Sequence, residues 1–207
     1  MARVHVYVDG FNLFYGALKG TPFKWLNLDA LCRIMLPQDE IQRINYYTAH
    51  VSARPSKPSA PNNQQVYLRA LRTIPTLSIT LGHFLTHSVI LPLSGTNPAR
   101  HVRVDRTEEK GSDVNIAAHL LRDAFLRRFD VAVLVTNDSD LAEPVRIVTE
   151  EISLPVGILN PHEHHSKALR PHATFVKRIR QAELMASQFP HELVDAHGRI
   201  VRKPQDW

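Results

Sequence analysis

The chain has 207 residues, of which 43% are hydrophobic and 22% are charged, and this is enough to bury the core of a single domain. Lysine and arginine number 25 against 20 acidic residues, so the net charge of +5 favours a polyanionic partner. The single cysteine, Cys32, excludes an internal disulfide and favours a reducing compartment, and no apolar run approaches the length of a membrane span. We therefore expect a cytoplasmic protein outside the membrane.

Strand and helix patterns alternate along the chain. Short apolar runs predict strands over 4–8, 41–51, 77–86, 131–135 and 154–159, and a short sixth strand over 175–176. Helical spacing and stop signals predict helices over 12–18, 26–36, 64–73, from 113, over 144–150 and over 181–187. The first strand begins almost at Met1, so we expect no signal peptide.

Two segments interrupt the alternation. A loop rich in proline and serine is expected over 52–61. Residues 87–93 and 101–106 predict a β-hairpin insertion around the turn 94–98. The remaining pattern predicts an α/β fold with a mostly parallel sheet, right-handed crossovers and helices on both faces. We assign 1–187 to one domain and 188–207 to a C-terminal extension.

Four acidic residues fall at the ends of these elements. Asp9 follows the first strand, and Asp138 and Asp140 follow the run 131–135. Asp113 begins the helix that leads into that run. Because the carboxyl ends of parallel strands share one edge of a sheet, we expect these side chains to meet where open α/β sheets bind ligands.

The helix that begins near Asp113 has its own sequence signals. Ser112 is a suitable N-cap, and an apolar stripe is predicted at helical spacing, formed by Val114, Ala117, Ala118, Leu121 and Phe125. A carboxylate in a first helical turn also stabilises the helix dipole, so Asp113 has a structural explanation beside the functional one.

Several carboxylates in one small pocket repel each other unless a cation lies among them. Mg²⁺ and Mn²⁺ prefer oxygen ligands, bind phosphate oxygens and activate water, so no side-chain nucleophile is needed. The sequence has neither a Gly-x-Ser-x-Gly motif nor a glycine-rich phosphate loop.

Three segments together resemble the NYN domain family, whose members are relatives of PIN-domain nucleases. They are Val6–Tyr15, Glu108–Ala117 and Val133–Leu141, and they occur in the family's order. The resemblance implies a PIN-like (Rossmann-like) α/β fold and a Mg²⁺- or Mn²⁺-dependent site that hydrolyses phosphodiester bonds, usually in RNA.

The resemblance also implies roles for individual residues. Asp9, Asp113 and Asp138 correspond to the metal-binding acids, while Asn12 and Asp140 complete the expected catalytic set. The sequence departs from PIN nucleases in the helix after the proline-rich loop, which carries Gln64 and Gln65 where a further acid is usual. His119 likewise stands where relatives often have an acid, and Glu109 is a candidate substitute.

Basic and aromatic side chains near the acids are candidates for substrate contact. Arg106 and Lys110 lie beside Asp113 in a strip that also contains Arg100 and Arg103; this strip either contacts phosphates or is a solvated strand edge. Tyr15 is a candidate for base stacking. The segment 162–165 is expected in a loop near the same edge rather than in a zinc site, and Lys177, Arg178 and Arg180 are expected to form a plain basic surface.

We therefore expect a metal-dependent endoribonuclease that acts on single-stranded RNA, with its oligomeric state, including a homo-oligomer, left open. One alternative is a module on the same fold that binds nucleic acid or nucleotides without cleaving them. A phosphatase is a second alternative, but it would carry Asp-x-Asp after the first strand, and position 11 is Phe.

Overall fold

The structure of the chain, a computed structural model, describes residues 1–53, 55–98 and 100–207. Arg54, within the predicted proline-rich loop, lies outside the described residues. The strands are β1 (Arg3–Asp9), β2 (Glu40–Thr48), β3 (Leu77–Leu81), β4 (His83–Pro92), β5 (His101–Lys110), β6 (Val131–Val135), β7 (Val156–Asn160), β8 (Phe175–Arg178), β9 (Glu192–Val194) and β10 (Ile200–Arg202). The helices are α1 (Gly10–Leu13), α2 (Leu28–Met35), α3 (Ala60–Leu71), α4 (Ser112–Phe125), α5 (Ala142–Arg146) and α6 (Gln181–Ala186). Across the described ranges, no helix combines the length and apolar character that crossing a bilayer requires.

Six strands form one parallel sheet in the order β3-β2-β1-β6-β7-β8. The connection after β1 leads to β2 on one side, and the connection after β6 leads to β7 on the other. The crevice at the carboxyl ends of β1 and β6 is therefore the topological switch point, where open α/β sheets bind ligands. The predicted α/β fold with a parallel sheet and a hairpin insertion is confirmed.

The two faces of the sheet are covered by different helices, and alternation along β1 sends its side chains to both. Val4, Val6 and Val8 pack in the cluster that contains residues of α2, α3 and α6. Tyr7 packs on the other face, in the cluster that contains α4. Asp9 has the same parity as Tyr7, so it belongs to the face that α4 covers.

The apolar face of α4 differs from the predicted stripe. Ile116, Leu120 and Ala124 are the buried apolar residues of this helix. Val114 and Phe125, which were predicted to be part of the stripe, are 71% and 69% exposed. The stripe prediction was partly right, because Ala117 and Leu121 pack against the same cluster, whereas Val114, Ala118 and Phe125 are exposed. Several sets of apolar residues at helical spacing exist in this segment, and packing with Tyr7 and Tyr47 of the sheet selects among them.

The hairpin insertion is longer than predicted. The predicted strand 77–86 ends at Leu81, and β4 begins at His83. The break lies at Gly82, where a Cβ atom would overlap the Glu109 carboxylate and lie 2.6 Å from the Lys110 carbonyl oxygen. The crossing between the sheet and the hairpin therefore requires glycine, and this steric constraint cannot be seen as periodicity.

Residues 188–207 contain β9 and β10 and return to the body of the chain. The Trp207 ring lies 5.5 Å from that of Tyr67 and 6.5 Å from that of Trp25, measured between centroids. Val201 is buried in the same cluster. The segment thus packs on the core, and the domain boundary after residue 187 stays a prediction.

Candidate metal centre

Asp9 ends β1 and begins α1. Its Oδ1 atom accepts a hydrogen bond from the Asn12 backbone N–H at 3.0 Å, so the carboxylate caps the helix. The turn is tight because a Cβ atom at Gly10 would lie 2.6 Å from the Tyr47 carbonyl oxygen and 2.7 Å from the Tyr46 ring. Glycine at position 10 allows this close approach and sets the direction of the buried Asp9 side chain.

Thr136 connects Asp9 to Asp138. The Thr136 hydroxyl donates to Asp9 Oδ2 at 3.2 Å and accepts from the Asp138 backbone N–H at 3.1 Å. Val8 pairs with Val135 in the sheet, so the residues that follow them, Asp9 and Thr136, lie side by side. Asp138 Oδ1 in turn accepts from the Asp140 N–H at 3.0 Å, which holds that carboxylate in a turn.

The start of α4 positions Asp113. Gly111, with φ of 101°, is the cap residue, whereas Ser112 was predicted to be the cap. Ser112 is instead the first helical residue, and Glu109 does the capping: its Oε1 atom accepts from the Ser112 backbone N–H at 3.3 Å and from the Ser112 hydroxyl at 3.0 Å. Asp113 thereby lies in the first turn of the helix, above the end of β1.

Three of the four predicted acids come together. Single carboxylate oxygens of Asp9, Asp113 and Asp138 lie within 4.8 Å of one another. Asp140 is exposed and lies outside this group, although its charge raises the pKa of Asp113. Glu109 also lies outside it while acting on Asp113, so the structure brings no fourth acid into the group among the residues it describes.

The electrostatics of the group favour a cation. Burial, together with the charges of Asp113 and Asp138, raises the pKa of Asp9 to about 6. Burial and the charge of Asp138 likewise raise the pKa of Asp113. Among the described residues, no lysine or arginine forms an ion pair with any of the three acids. An all-oxygen donor set without internal compensation fits Mg²⁺ or Mn²⁺.

Asn12 links the rim to the loop that follows β7. Its Oδ1 atom accepts from the Asn137 N–H at 2.9 Å and lies 3.0 Å from His162 Nε2. Since that oxygen already accepts from a backbone N–H, Nε2 is the protonated nitrogen of His162 in this contact. Asn12 thus supports the turn that carries Asp138, as an indirect partner of the acids.

The loop 161–166 is held at the rim by two asparagines. Asn137 Nδ2 donates to the His164 carbonyl oxygen at 3.0 Å, and Asn137 Oδ1 accepts from the Ser166 N–H at 2.7 Å. Asn160 accepts from the His162 N–H at 2.8 Å. The expected position of this loop is confirmed, and its histidines form no metal-binding group among the described residues.

The two basic residues of the hairpin that lie nearest Asp113 share one face of it. Arg106 Nε lies 2.6 Å from Glu108 Oε1 and Lys110 Nζ lies 2.8 Å from Glu108 Oε2, so both cations share one carboxylate. Phe84, on the opposite face of the hairpin by its pairing with Glu109, packs its ring 5.6 Å from that of Phe11, beside Asp9. The face with Arg106 and Lys110 is therefore not the face that touches the rim at the base of the hairpin.

Tyr15 lies on the π-helical turn Phe14–Leu18 that follows α1. It is 55% exposed, with Lys19 Nζ 4.9 Å from the centre of its ring, while Phe14 packs against the core. Of this aromatic pair, Tyr15 is the one available for stacking.

Gln64 and His119, which stand where a further acid was expected, have other partners. Gln64 donates to the Ala49 carbonyl oxygen at 2.8 Å and accepts from the Val51 N–H at 3.0 Å, which secures the start of the loop after β2. His119 Nδ1 lies 2.9 Å from the Tyr47 hydroxyl. Both side chains serve local structure.

Thr136, Asn137 and Asn160 were not predicted as parts of the site, and His162 was predicted only as part of a loop near its edge. Each acts through a hydrogen bond to a backbone group or to another polar side chain. The weak signal available from sequence was position: Thr136 immediately follows β6 and Asn160 ends β7, while Asn137 and His162 lie two residues beyond these strands, where side chains can reach the switch point.

Comparisons with known proteins agree with this fold. Residues 3–178 match the family model described as the NYN domain. A relative from Pseudomonas putida, 6-hydroxy-3-succinoylpyridine 3-monooxygenase HspA, is 26% identical to this chain. The alignment is 238 positions long and covers 99% of this chain and 75% of the relative. A crystal structure of a Vibrio parahaemolyticus protein of unknown function has a TM-score of 0.59 at 17% identity, covering 87% of this chain and 94% of that one. This structural likeness concerns the fold alone.

Proposed function

We propose that this chain, which belongs to the NYN domain family, is a divalent-metal-dependent nuclease that hydrolyses phosphodiester bonds in single-stranded RNA. The observation that carries the proposal is the convergence of Asp9, Asp113 and Asp138 within 4.8 Å at the switch point of the sheet. Membership of a family with a nuclease fold supports the same reaction class.

Asp9, Asp113 and Asp138 would hold Mg²⁺ or Mn²⁺. Such an ion, when bound, neutralises charge on a phosphate and lowers the pKa of water. The three carboxylates would supply oxygen ligands to this ion. Asp9 is held by the Asn12 N–H and Asp138 by the Asp140 N–H, and Asp113 is placed by the first turn of α4.

The surrounding polar residues would keep this arrangement rigid. Thr136 holds Asp9 and Asp138 through its hydroxyl, and Asn12 holds the turn before Asp138 through the Asn137 N–H. Loss of such supporting hydrogen bonds commonly weakens metal affinity by about 10- to 100-fold. Asp140, exposed beside the group, would orient the attacking water and accept its proton.

Arg106, Lys110 and Tyr15 would contact the substrate outside the metal centre. The two cations offset one carboxylate, Glu108, so together they add one net positive charge. The exposed Tyr15 ring, close to α1, would stack on a base.

The likeness to a monooxygenase over 99% of the chain supports a second candidate, an oxygenation at the same rim. The donor set argues for hydrolysis, because oxygen-activating iron commonly binds two histidines and one carboxylate, whereas three carboxylates suit Mg²⁺ or Mn²⁺.

Cleavage of a labelled single-stranded RNA in Mn²⁺, with and without chelator, tests the proposal. We expect cleavage that chelator abolishes. Binding of the RNA without cleavage would favour the non-catalytic module instead. Oxygen uptake with 6-hydroxy-3-succinoylpyridine and a reductant, in the absence of RNA cleavage, would favour the oxygenase.

A further inference from the structure

A basic cleft lies at the end of β8, on the same edge of the sheet as the acids. Its volume is about 470 Å³, and the charged or polar side chains that line it are His165, Lys177, Arg178, Arg180 and Glu183. Arg178 is the last residue of β8, and Ile34 and Met35 at the end of α2 complete the lining, so the cleft lies beside the carboxyl end of this edge strand.

Two of these charged side chains, Lys177 and Glu183, form hydrogen bonds to the backbone of neighbouring helices. Lys177 Nζ donates to the Met35 carbonyl oxygen at 2.9 Å, at the end of α2. Glu183 Oε2 accepts from the Arg180 backbone N–H at 2.9 Å and so caps α6. The exposed guanidinium groups of Arg178 and Arg180, in contrast, make no ion pair within the part of the chain that the structure describes.

His165 adds a hydrogen-bond donor of defined tautomer. The fully buried Asn160 accepts from the His162 N–H through Oδ1, which identifies Nδ2 as its donor. That Nδ2 lies 2.9 Å from His165 Nδ1, which must therefore accept. The proton of a neutral His165 is then on Nε2, which is left to donate to a ligand.

The loop 161–166 links the cleft to a residue that supports the acidic group. Asn12 contacts His162 at one end of that loop, and His165 lines the cleft at the other. Three strand spacings separate β1 from β8, or about 14 Å across the sheet. An extended polyanion lying along this edge would reach both.

We infer that this cleft is a phosphate-binding subsite that holds the backbone of the nucleic-acid strand away from the bond that is cut; the inference rests on the proposed function. The guanidinium groups of Arg178 and Arg180, which form no ion pair with the described residues, and an imidazole N–H are donors suited to phosphodiester oxygens. Lys177, Arg178 and Arg180 were expected to form a plain basic surface. This inference instead assigns Arg178 and Arg180 a role in binding the substrate backbone.

Fluorescence anisotropy with a short labelled oligouridine, in chelator so that nothing is cut, tests the subsite. We expect Arg178→Ala and Arg180→Ala each to weaken binding by roughly tenfold and to lower the log–log salt slope by about one. The control is Arg72→Ala. Arg72 is an exposed arginine at the end of α3, which leads into β3, the outermost strand on the side of the sheet away from β8. This change should leave the affinity and the salt slope unchanged. Inorganic phosphate and uridine monophosphate should compete only at far higher concentrations than unlabelled oligouridine.

Cleavage in Mn²⁺, measured in parallel, separates this inference from the nuclease proposal. If the wild type cleaves but Arg178→Ala and Arg180→Ala bind like Arg72→Ala, the subsite is refuted and the nuclease stands. If the two variants lose binding while the wild type cleaves nothing, the subsite stands and the nuclease fails. Competition by inorganic phosphate as strong as by oligouridine, or no oligouridine binding by the wild type, would overturn the subsite.

Discussion

The Thr136 hydroxyl donates a hydrogen bond to the buried Asp9 carboxylate, with 3.2 Å between the two oxygens, across the pair of strands that form the switch point. The same hydroxyl accepts from the backbone N–H of Asp138 at 3.1 Å, so one side chain holds two of the three converging acids. Both contacts depend on the register of β1 and β6, which places residues 9 and 136 side by side.

Thr136→Val should weaken Mn²⁺ binding by about 10- to 100-fold, because it removes this hydroxyl while keeping the shape of the side chain. The buried oxygen of Asp9 and the Asp138 N–H would each lose a hydrogen-bond partner, so the free energy of unfolding should fall by about 1–3 kcal/mol. Isothermal titration with Mn²⁺ and thermal unfolding measure the two effects.

Thr136→Ser is the matched control and should retain most of the Mn²⁺ affinity, because it keeps the hydroxyl. Equal affinity in Thr136→Val and the wild type would show that the hydroxyl plays no part in holding the acids.

Asp113→Asn should fold normally and lose cleavage. The side chain is half-buried in a first helical turn, and removing one negative charge from a crowded group relieves repulsion, so the melting temperature should be unchanged or higher. Cleavage of labelled RNA in Mn²⁺ should fall to background. Glu163→Gln, an exposed carboxylate in the loop at the same rim, should cleave like the wild type. A folded Asp113→Asn protein with normal turnover would remove Asp113 from the metal site.

Gly10→Ala should destabilise the chain and impair cleavage, because the new methyl group would lie 2.6 Å from the Tyr47 carbonyl oxygen and displace the turn after Asp9. Overpacking of this kind typically costs about 1–3 kcal/mol.

Gly20→Ala provides the comparison for Gly10→Ala. Gly20 has φ of 79°, and a methyl group added there would have no atom within 4 Å, so this change should carry only a backbone cost of about 1–2 kcal/mol and leave cleavage intact. Normal cleavage by Gly10→Ala would mean that Asp9 tolerates a shifted turn.

The sequence was sufficient to predict where Asp9, Asp113 and Asp138 meet. Each follows or precedes an apolar element of clear type, and parallel strands bring such ends to one edge. The contacts of Thr136, Asn137 and Asn160 could not be predicted, since a hydrogen bond between a side chain and a backbone group depends on strand register and loop conformation.

Errors in the predicted elements have physical causes of the same kind. The cap of α4 was predicted at Ser112, but a glycine with positive φ and a carboxylate from the hairpin, Glu109, share that role. The buried face of α4 was partly misassigned because its apolar residues fit several stripes. The hairpin was predicted too short for two reasons. Residues 83–86 were assigned to the strand before the hairpin, because the break at Gly82 leaves no mark in the periodicity, and residues 107–110 are polar and carry no apolar alternation.

Glu108→Gln should strengthen RNA binding if Arg106 and Lys110 contact phosphates, because this carboxylate pairs with both of them. Removing it frees two cations, and the log–log salt slope of binding should become steeper. Anisotropy titrations in chelator measure the change.

Glu192→Gln, which removes the partner of Arg202 in the hairpin of β9 and β10, is the control for general charge and should have a smaller effect. The same affinity in Glu108→Gln and Glu192→Gln would indicate that the Arg106 and Lys110 strip is only a solvated edge.

The most direct test of the metal centre is the anomalous diffraction of Mn²⁺ soaked into crystals of the wild-type protein. We predict a peak among Asp9, Asp113 and Asp138, with one carboxylate oxygen of each residue at about 2.0–2.2 Å, close to the distances of hard divalent ions. The Asp113→Asn protein soaked under the same conditions should show a weaker peak or none. A wild-type crystal without a peak at these three carboxylates, or with Mn²⁺ bound elsewhere, would contradict the account.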